Sequence, residues 1–275
     1  MTGWLCPLCG GMLRPNGNSL CCENRHTFDR GKSGYVNLLL VNEKRSKIPG
    51  DNKLMVNARR EFLDKGYYAP LAEEFSKEAA EAMAGIPEPA VLDAGCGEGY
   101  YTAYLKAALE KAGGLPQIFA VDISKFAADK CARRCKGVEC AAASVFRLPM
   151  ADASCDLVTC LFAPYAGEEY QRVLKPGGVF IMVIPGENHL WELKEAIYDQ
   201  PYRNEVKGYE LEGFDFLNKR AVDRRILLDN PADIRSLFQM TPYYYKSGVD
   251  TDARLEALER LETQVSFEIL TYRKK

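Results

Sequence analysis

The sequence predicts a doubly wound α/β fold preceded by a small metal-held module, and three observations carry that prediction. From residue 90 onward short apolar strands alternate with helices. One strand runs into a turn of alternating glycines and then a helix, between Val91 and Tyr100. The first 35 residues carry a Cys and His pattern in place of a hydrophobic core. A length of 275 residues with 47% hydrophobic content allows one large or two unequal domains. The net charge of −2, from 36 Lys plus Arg against 38 Asp plus Glu, excludes a uniformly basic nucleic-acid coat. The charge is unevenly spread, with ten basic and four acidic side chains in the first 60 residues and a net −8 in the rest. Such asymmetry points to an anionic partner at the amino end. Ten scattered cysteines do not make a disulfide scaffold, no leader pattern opens the chain, and no apolar run reaches the roughly 18 residues of a spanning helix. The expectation is a reducing cytoplasm and no membrane.

Taken in order, residues 1–35 are rich in Cys, Gly, Asn and Pro and need something other than a core to hold them. Residues 51–65 read as a helix from apolar Leu54, Val56, Ala58, Phe62 and Leu63, capped by Asp51 or Asn52 and ended near Gly66. Arg59 and Arg60 fall on its polar face. A second helix, 69–84, has Pro70 in its first turn and is broken by Gly85, with Pro87 and Pro89 after it. This makes 36–88 a linking helical segment and 89–275 the main domain. There, strands are expected at 90–93, 117–122, 138–142, 156–162 and 179–184, and helices at 100–111, 124–135 and 168–173. Continuous apolar strands separated by helices imply a parallel sheet covered on both faces. A Lys175-Pro176-Gly177-Gly178 turn precedes the 179–184 strand. The tail reads as a helix from about Asn188, a strand 225–228, helices 232–238 and 253–261, and a closing strand 264–272.

Cys6-Pro7-Leu8-Cys9, twelve residues, then Cys22-Glu23-Asn24-Arg25-His26 has the spacing of a tetrahedral zinc site with three thiolates and one imidazole. Cys21 can replace Cys22 with one extra spacer residue; Cys22 is preferred. Four protein ligands leave no open position for water, so the ion is structural and its binding supplies folding energy to the segment. Arg25, Arg30, Lys32, Lys44, Arg45 and Lys47 lie nearby in sequence and suit phosphate contacts if they share a face, the plainer reading being a solvated basic patch.

In Val91-Leu92-Asp93-Ala94-Gly95-Cys96-Gly97-Glu98-Gly99-Tyr100 the backbone must pass close to a ligand. Its glycines are spaced two and two, whereas the dinucleotide fingerprint places the third glycine three residues after the second, which disfavours NAD. Asp93 before the loop suits a positively charged donor. Asp122, at the end of the next strand, suits both hydroxyls of a ribose, with a helix cap as its plainer role. The pair points to S-adenosylmethionine, and strand, loop, Asp122, the 156–162 strand and the Pro-Gly-Gly turn together resemble the class I methyltransferase fold, which is Rossmann-like. Cys96 reads as a small buried residue.

With both halves in view, the chain resembles the bacterial 23S rRNA guanine-N1 methyltransferases over nearly its whole length. The resemblance is carried by the Cys6 to His26 pattern, His26-Thr27-Phe28-Asp29, Lys32-Ser33-Gly34-Tyr35-Val36-Asn37-Leu38-Leu39 and Pro49-Gly50-Asp51. It continues through Ala58-Arg59-Arg60, Phe62-Leu63-Asp64, the glycine loop, Lys175-Pro176-Gly177-Gly178, Pro185-Gly186 with His189-Leu190, and Met240-Thr241-Pro242. It implies methylation of a guanine N1 in a 23S rRNA hairpin, S-adenosylmethionine as donor, structural zinc and a homodimer. By matched position it implies that Tyr68, Gly97, Glu98 and His189 touch the donor, beside the loop residues Asp93, Gly95 and Gly99. Cys21, Cys131, Cys135, Cys140, Cys155 and Cys160 match no pattern.

Methyl transfer is an in-line displacement, so alignment of two reactants carries much of the rate. Guanine N1 bears a proton at neutral pH, and its acceptor stays open between Glu98 and the Ala163-Pro164-Tyr165 loop. A guanine taken out of its stack needs aromatic faces, for which 162–165 and Pro242-Tyr243-Tyr244-Tyr245 are candidates, with core or sheet-edge packing as the alternative. Two rival functions remain: a small-molecule methyltransferase, which leaves the zinc module unexplained, and a catalytically silent zinc-containing RNA-binding protein, which leaves the donor loop unexplained.

Overall fold

The apolar strand runs assemble into one eight-stranded sheet in the computed structural model, which describes residues 3–41, 49–206, 208–246 and 249–275. The amino-terminal module is a three-stranded antiparallel sheet of β1 (Arg14–Asn16), β2 (Ser19–Cys21) and β3 (Thr27–Asp29). Three of its large apolar side chains, Trp4, Leu13 and Leu20, are fully buried in a cluster shared with Phe119, Val121 and Met150 of the main domain, while Leu8 and Met12 are exposed. Trp4 meets Phe119 edge-on at 5.2 Å, and the Leu5 amide donates to the Pro149 carbonyl at 2.8 Å. The module therefore borrows its core. β4 (Val36–Asn37) then joins the edge of the large sheet, parallel to β7 (Glu139–Ala142).

α1 (Lys53–Asp64) is capped by Asn52, whose side chain accepts from the Met55 amide. It buries Met55, Val56, Ala58, Phe62 and Leu63, while Leu54, expected inside, is 48% exposed. α2 (Ala69–Ala82) begins with Pro70 and ends two residues sooner than expected, three before the left-handed Gly85. Both helices contribute to the core, where Phe62, Leu71 and Phe75 share a cluster with Val91, Ile181 and Phe267. The linking segment thus supplies the edge strand β4 and two helices that pack on one face of the sheet.

The sheet continues with β5 (Ala90–Ala94), α3 (Tyr100–Lys111), β6 (Gln117–Asp122), α4 (Lys125–Arg134) and β7, then returns through β8 (Cys155–Leu161), α5 (Gly167–Val173), β9 (Leu174–Pro185) and α6 (Trp191–Ile197). It closes with β10 (Phe214–Leu228), α7 (Pro231–Gln239), α8 (Val249–Glu256) and β11 (Leu261–Lys274). The strand order is β10-β11-β9-β8-β5-β6-β7-β4, with β11 antiparallel to both neighbours. The chain winds outward from β5 to β7 and then crosses to β8, so the carboxyl ends of β5 and β8 flank a topological switch point, the place where such sheets bind ligands. Neighbours in a strand face opposite ways, Val91 into one buried cluster and Leu92 into the other, because helices cover both faces.

Three tail elements depart from expectation. β10 spans fifteen residues, whereas only 225–228 was read as strand. Its stretch from Asp215 to Arg224 is largely exposed and half charged because it forms the sheet edge, where pairing with β11 rather than an apolar pattern defines it. α8 lies at Val249–Glu256 instead of 253–261, since Leu261 already pairs with Leu228. The helix expected from Asn188 starts at Trp191. The Lys175 to Gly178 turn is present as a register break within β9, with Gly177 at φ +73°.

Candidate functional site

Two tight turns bring the metal ligands together. The Gly10 amide donates to the Cys6 carbonyl and the Arg25 amide to the Cys22 carbonyl, with Gly10 and Arg25 both at positive φ. One ligand atom from each of Cys6, Cys9, Cys22 and His26 lies within 4.8 Å of all the others. Cys9 Sγ is 3.6 Å from Cys22 Sγ, and His26 Nδ1 is 3.4 Å from Cys6 Sγ and 3.5 Å from Cys22 Sγ. A tetrahedron with zinc–sulfur bonds of about 2.3 Å and a zinc–nitrogen bond of about 2.0 Å has edges of roughly 3.5 to 3.8 Å, so the donor set fits Zn²⁺ through Nδ1. The Gly11 amide holds the Cys9 thiol down at about 6, and burial pushes Cys6 up to about 11. Cys21 is turned away, its thiol donating to the Cys22 carbonyl and accepting from Thr27 Oγ1. Of the neighbouring basic residues, Arg30 pairs with Glu139 of β7 at 3.7 Å and so helps dock the module. Lys44, Arg45 and Lys47 lie outside the described residues.

The glycine loop leaves β5 at the switch point with Gly95, Gly97 and Gly99 all in the left-handed region. A Cβ on Gly95 would stand 2.3 Å from Ala163 Cβ, so the loops after β5 and β8 touch. A Cβ on Gly99 would stand 2.9 Å from Cys131 Cα, which lets α3 start against α4. Asp93 is buried beneath the loop, accepting from Thr102 Oγ1 at 2.6 Å and Thr159 Oγ1 at 3.1 Å. Burial pushes its carboxyl up to about 6 against those two bonds. Asp122, at the end of β6, accepts from the Gly97 amide at 3.0 Å and the Ser124 amide at 2.7 Å. It too is pushed up by burial to about 6. Ser124, rather than Asp122, supplies the side-chain cap of α4.

The Glu98 side chain reaches α4. Its carboxylate is 1% exposed and pairs with Arg134 at 2.8 Å, which also holds Asp64 of α1. That position ties the loop to two helices and leaves the carboxylate closed to an attacking base. Tyr68 and His189, far apart in the sequence, come together with their ring centroids 6.2 Å apart. The Phe267 ring lies 4.9 Å from Tyr68 and 4.6 Å from His189. The Tyr68 hydroxyl is buried and has no hydrogen-bond partner among the described residues. The Ser266 amide donates to His189 Nδ1 at 3.3 Å, which places the ring proton of neutral His189 on Nε2. Burial lowers His189 to about 3, so it presents a hydrogen-bond donor.

Of the aromatic candidates, Phe162 and Tyr165 are 45% and 38% exposed, and Phe162 sits at φ +56°, a strained conformation for a bulky residue. The Pro164 carbonyl already accepts from Tyr170 at 3.1 Å. Tyr243 is buried in the core beside Lys194 Nζ. The sequence reading missed Thr102, Thr159, Phe267 and the position of Arg59. A threonine on the buried face of an otherwise apolar strand was the available signal for Thr159; the others carry none.

Comparison with known proteins agrees with both halves. Residues 4–47 match a zinc-ribbon family described as "RlmA, N-terminal", and residues 92–182 match a family described as "Methyltransferase domain". A 23S rRNA (guanine(748)-N(1))-methyltransferase of Streptomyces fradiae is 33% identical over 274 residues, covering 96% of this chain and 95% of that protein. The Bacillus subtilis (strain 168) protein YxjB, named as a candidate 23S rRNA (guanine-N(1)-)-methyltransferase, is 31% identical over 96% of this chain and 95% of its own length. With similarity of that extent and both modules in place, the chain belongs to the bacterial 23S rRNA (guanine-N1)-methyltransferase family, a zinc ribbon ahead of a class I methyltransferase domain.

Proposed function

We propose that this protein transfers a methyl group from S-adenosylmethionine to N1 of a guanine in a 23S rRNA hairpin. The observation that carries the reading is one chain holding both a Cys3His ribbon and, at the switch point, a glycine loop hydrogen-bonded to a strand-end carboxylate. The bound donor supplies an electrophilic methyl on a sulfonium. Asp122 accepts from the ribose hydroxyls, Gly95 and Gly97 let the loop lie against the donor, Gly99 lets the loop enter α3, and buried Asp93 favours the positive sulfur. Tyr68 and His189 each offer an O–H or N–H to the donor, and Glu98 holds the loop through Arg134. Phe162 and Tyr165, exposed on the loop after β8, receive the unstacked guanine. The zinc ion, held by Cys6, Cys9, Cys22 and His26, fixes the ribbon that presents basic residues to RNA. A homodimer belongs to this reading through the family resemblance; among the described residues no helix is long and apolar enough to cross a membrane.

Labelled donor incubated with the protein and rRNA from a deletion strain should mark one guanine, seen as a primer-extension stop. Labelling of small molecules alone would point to the first rival, and hairpin binding without donor binding to the silent RNA-binding protein.

Two further outcomes are expected. Tyr68→Phe should weaken binding of S-adenosylhomocysteine by about 10-fold, the worth of one hydrogen bond, while leaving thermal stability intact because the hydroxyl has no protein partner to lose. A drop in stability with unchanged affinity would contradict this. The pH dependence follows from the carboxyls. Asp93 and Asp122 hold their protons up to about 6 in the free protein, whereas the donor needs them ionised. Affinity should therefore be level above neutrality and fall as pH drops through about 6. Calorimetric titrations giving equal or tighter binding at acid pH would refute the assignment.

A further inference from the structure

Beside the glycine loop lies a cation that neither the sequence reading nor the family likeness assigns. Arg59 extends from α1 so that Nη1 is 3.9 Å from the point a Cβ on Gly97 would occupy. Its fork is pinned on two sides: Nη1 donates to Asp51 Oδ2, and Nη2 donates to the Met240 carbonyl at 3.1 Å. Only 28% of the side chain is exposed. The Gly97 amide meanwhile donates to Asp122 at 3.0 Å. Ribose acceptor, loop backbone and guanidinium therefore lie side by side.

Resting on the donor reading above, we propose that Arg59 binds the α-carboxylate of the donor's amino-acid tail and so selects donors that carry it. The tail joins the ribose through one sulfur, a sulfonium in the donor and a thioether in the demethylated product, and with the ribose at Asp122 that short chain runs along the loop. A guanidinium has five N–H groups, and a carboxylate is their preferred planar partner. Asp51 and the Met240 carbonyl each take one of these, which leaves others free while the fork is held beside Gly97. Asp93 and Asp122 make the floor beside the loop acidic, so the carboxylate needs a cation close by, and Arg59, held in place by Asp51, supplies it. Arg59 acts here as a ligand-positioning residue and takes no part in moving a proton.

The test compares S-adenosylhomocysteine with 5′-methylthioadenosine, which keeps the adenine, ribose and thioether but lacks the amino-acid tail and with it the carboxylate, by calorimetry on the full zinc-loaded chain. Arg59→Gln should weaken the first by about 10-fold to 100-fold and leave the second within about threefold, as expected for a lost charge-assisted bond. Arg59→Lys keeps the charge without the fork and should lose a smaller, equally selective part. It carries the test if Arg59→Gln does not fold. Equal loss of both ligands would mean a purely structural role, and loss confined to hairpin binding would mean a phosphate contact; either overturns the proposal, as does no loss at all. A wild-type chain that binds no S-adenosylhomocysteine would overturn the donor reading as well, whereas normal binding with unselective variants overturns this inference alone.

Discussion

Gly95→Ala should abolish measurable donor binding while the protein still folds. The residue sits at φ +87°, where a Cβ costs about 1 kcal/mol, and that Cβ would lie 2.3 Å from Ala163 Cβ. Relief requires one of the two loops to move, and overpacking of this kind costs about 1–3 kcal/mol. The rest of the sheet has no part in that contact, so the strain is released locally, in the loop proposed to lie against the donor. A misplacement of about 1 Å in a positioned site can cost about 100-fold, and loss of donor affinity on at least that scale is expected from calorimetry with S-adenosylhomocysteine. The double change Gly95→Ala with Ala163→Gly removes the opposing methyl and should recover part of the affinity, the remainder being the backbone strain. Binding by the single variant within about threefold of wild type would show that the loops adjust freely, against the close packing of interiors.

Cys22→Ala should release the zinc and unfold the ribbon. Cys22 Sγ lies within 3.6 Å of Cys9 Sγ and 3.5 Å of His26 Nδ1, so its loss opens the centre of the ligand set. Structural zinc supplies about 10–16 kcal/mol in isolated finger peptides, and three ligands retain only part of that. The effect will not stay in the first 35 residues. Trp4 and Leu20 are fully buried in the cluster containing Phe119, so an unfolded ribbon uncovers one side of β6 and lowers the melting temperature of the main domain. Cys21→Ala, one residue away but outside the cluster, should keep a full complement of metal. Zinc analysis and thermal unfolding of the two variants decide the matter, and a metal-to-protein ratio unchanged by Cys22→Ala would reject the ligand.

How far the site was legible depended on the distance over which its information acts. The ribbon ligands were readable because two short knuckles set their own geometry; spacing left Cys21 open beside the preferred Cys22, and the ligand cluster chose Cys22. The central strands β5, β6 and β8 were readable because a strand buried on both faces must be apolar throughout. β10 was not, since an edge strand tolerates charge and its identity lies in the register with β11. Leu54 and Met55 exchanged roles for a related reason: two adjacent apolar residues both suit a helix, and only its packing partner decides which faces in.

The amino-acid sequence by itself determined the metal ligands, the alternation of strand and helix, and the loop from Asp93 to Gly99 ending near a strand-end carboxylate, because each is encoded within one turn or one strand. Only the tertiary structure decided that Glu98 faces Arg134, that Tyr68, His189 and Phe267 meet, and that Arg59 stands over Gly97. Those contacts join residues far apart in the chain, and no local pattern specifies them. They are set by how the helices and loops pack across the sheet, where shape and burial choose one arrangement among many that the same hydrophobic pattern would allow.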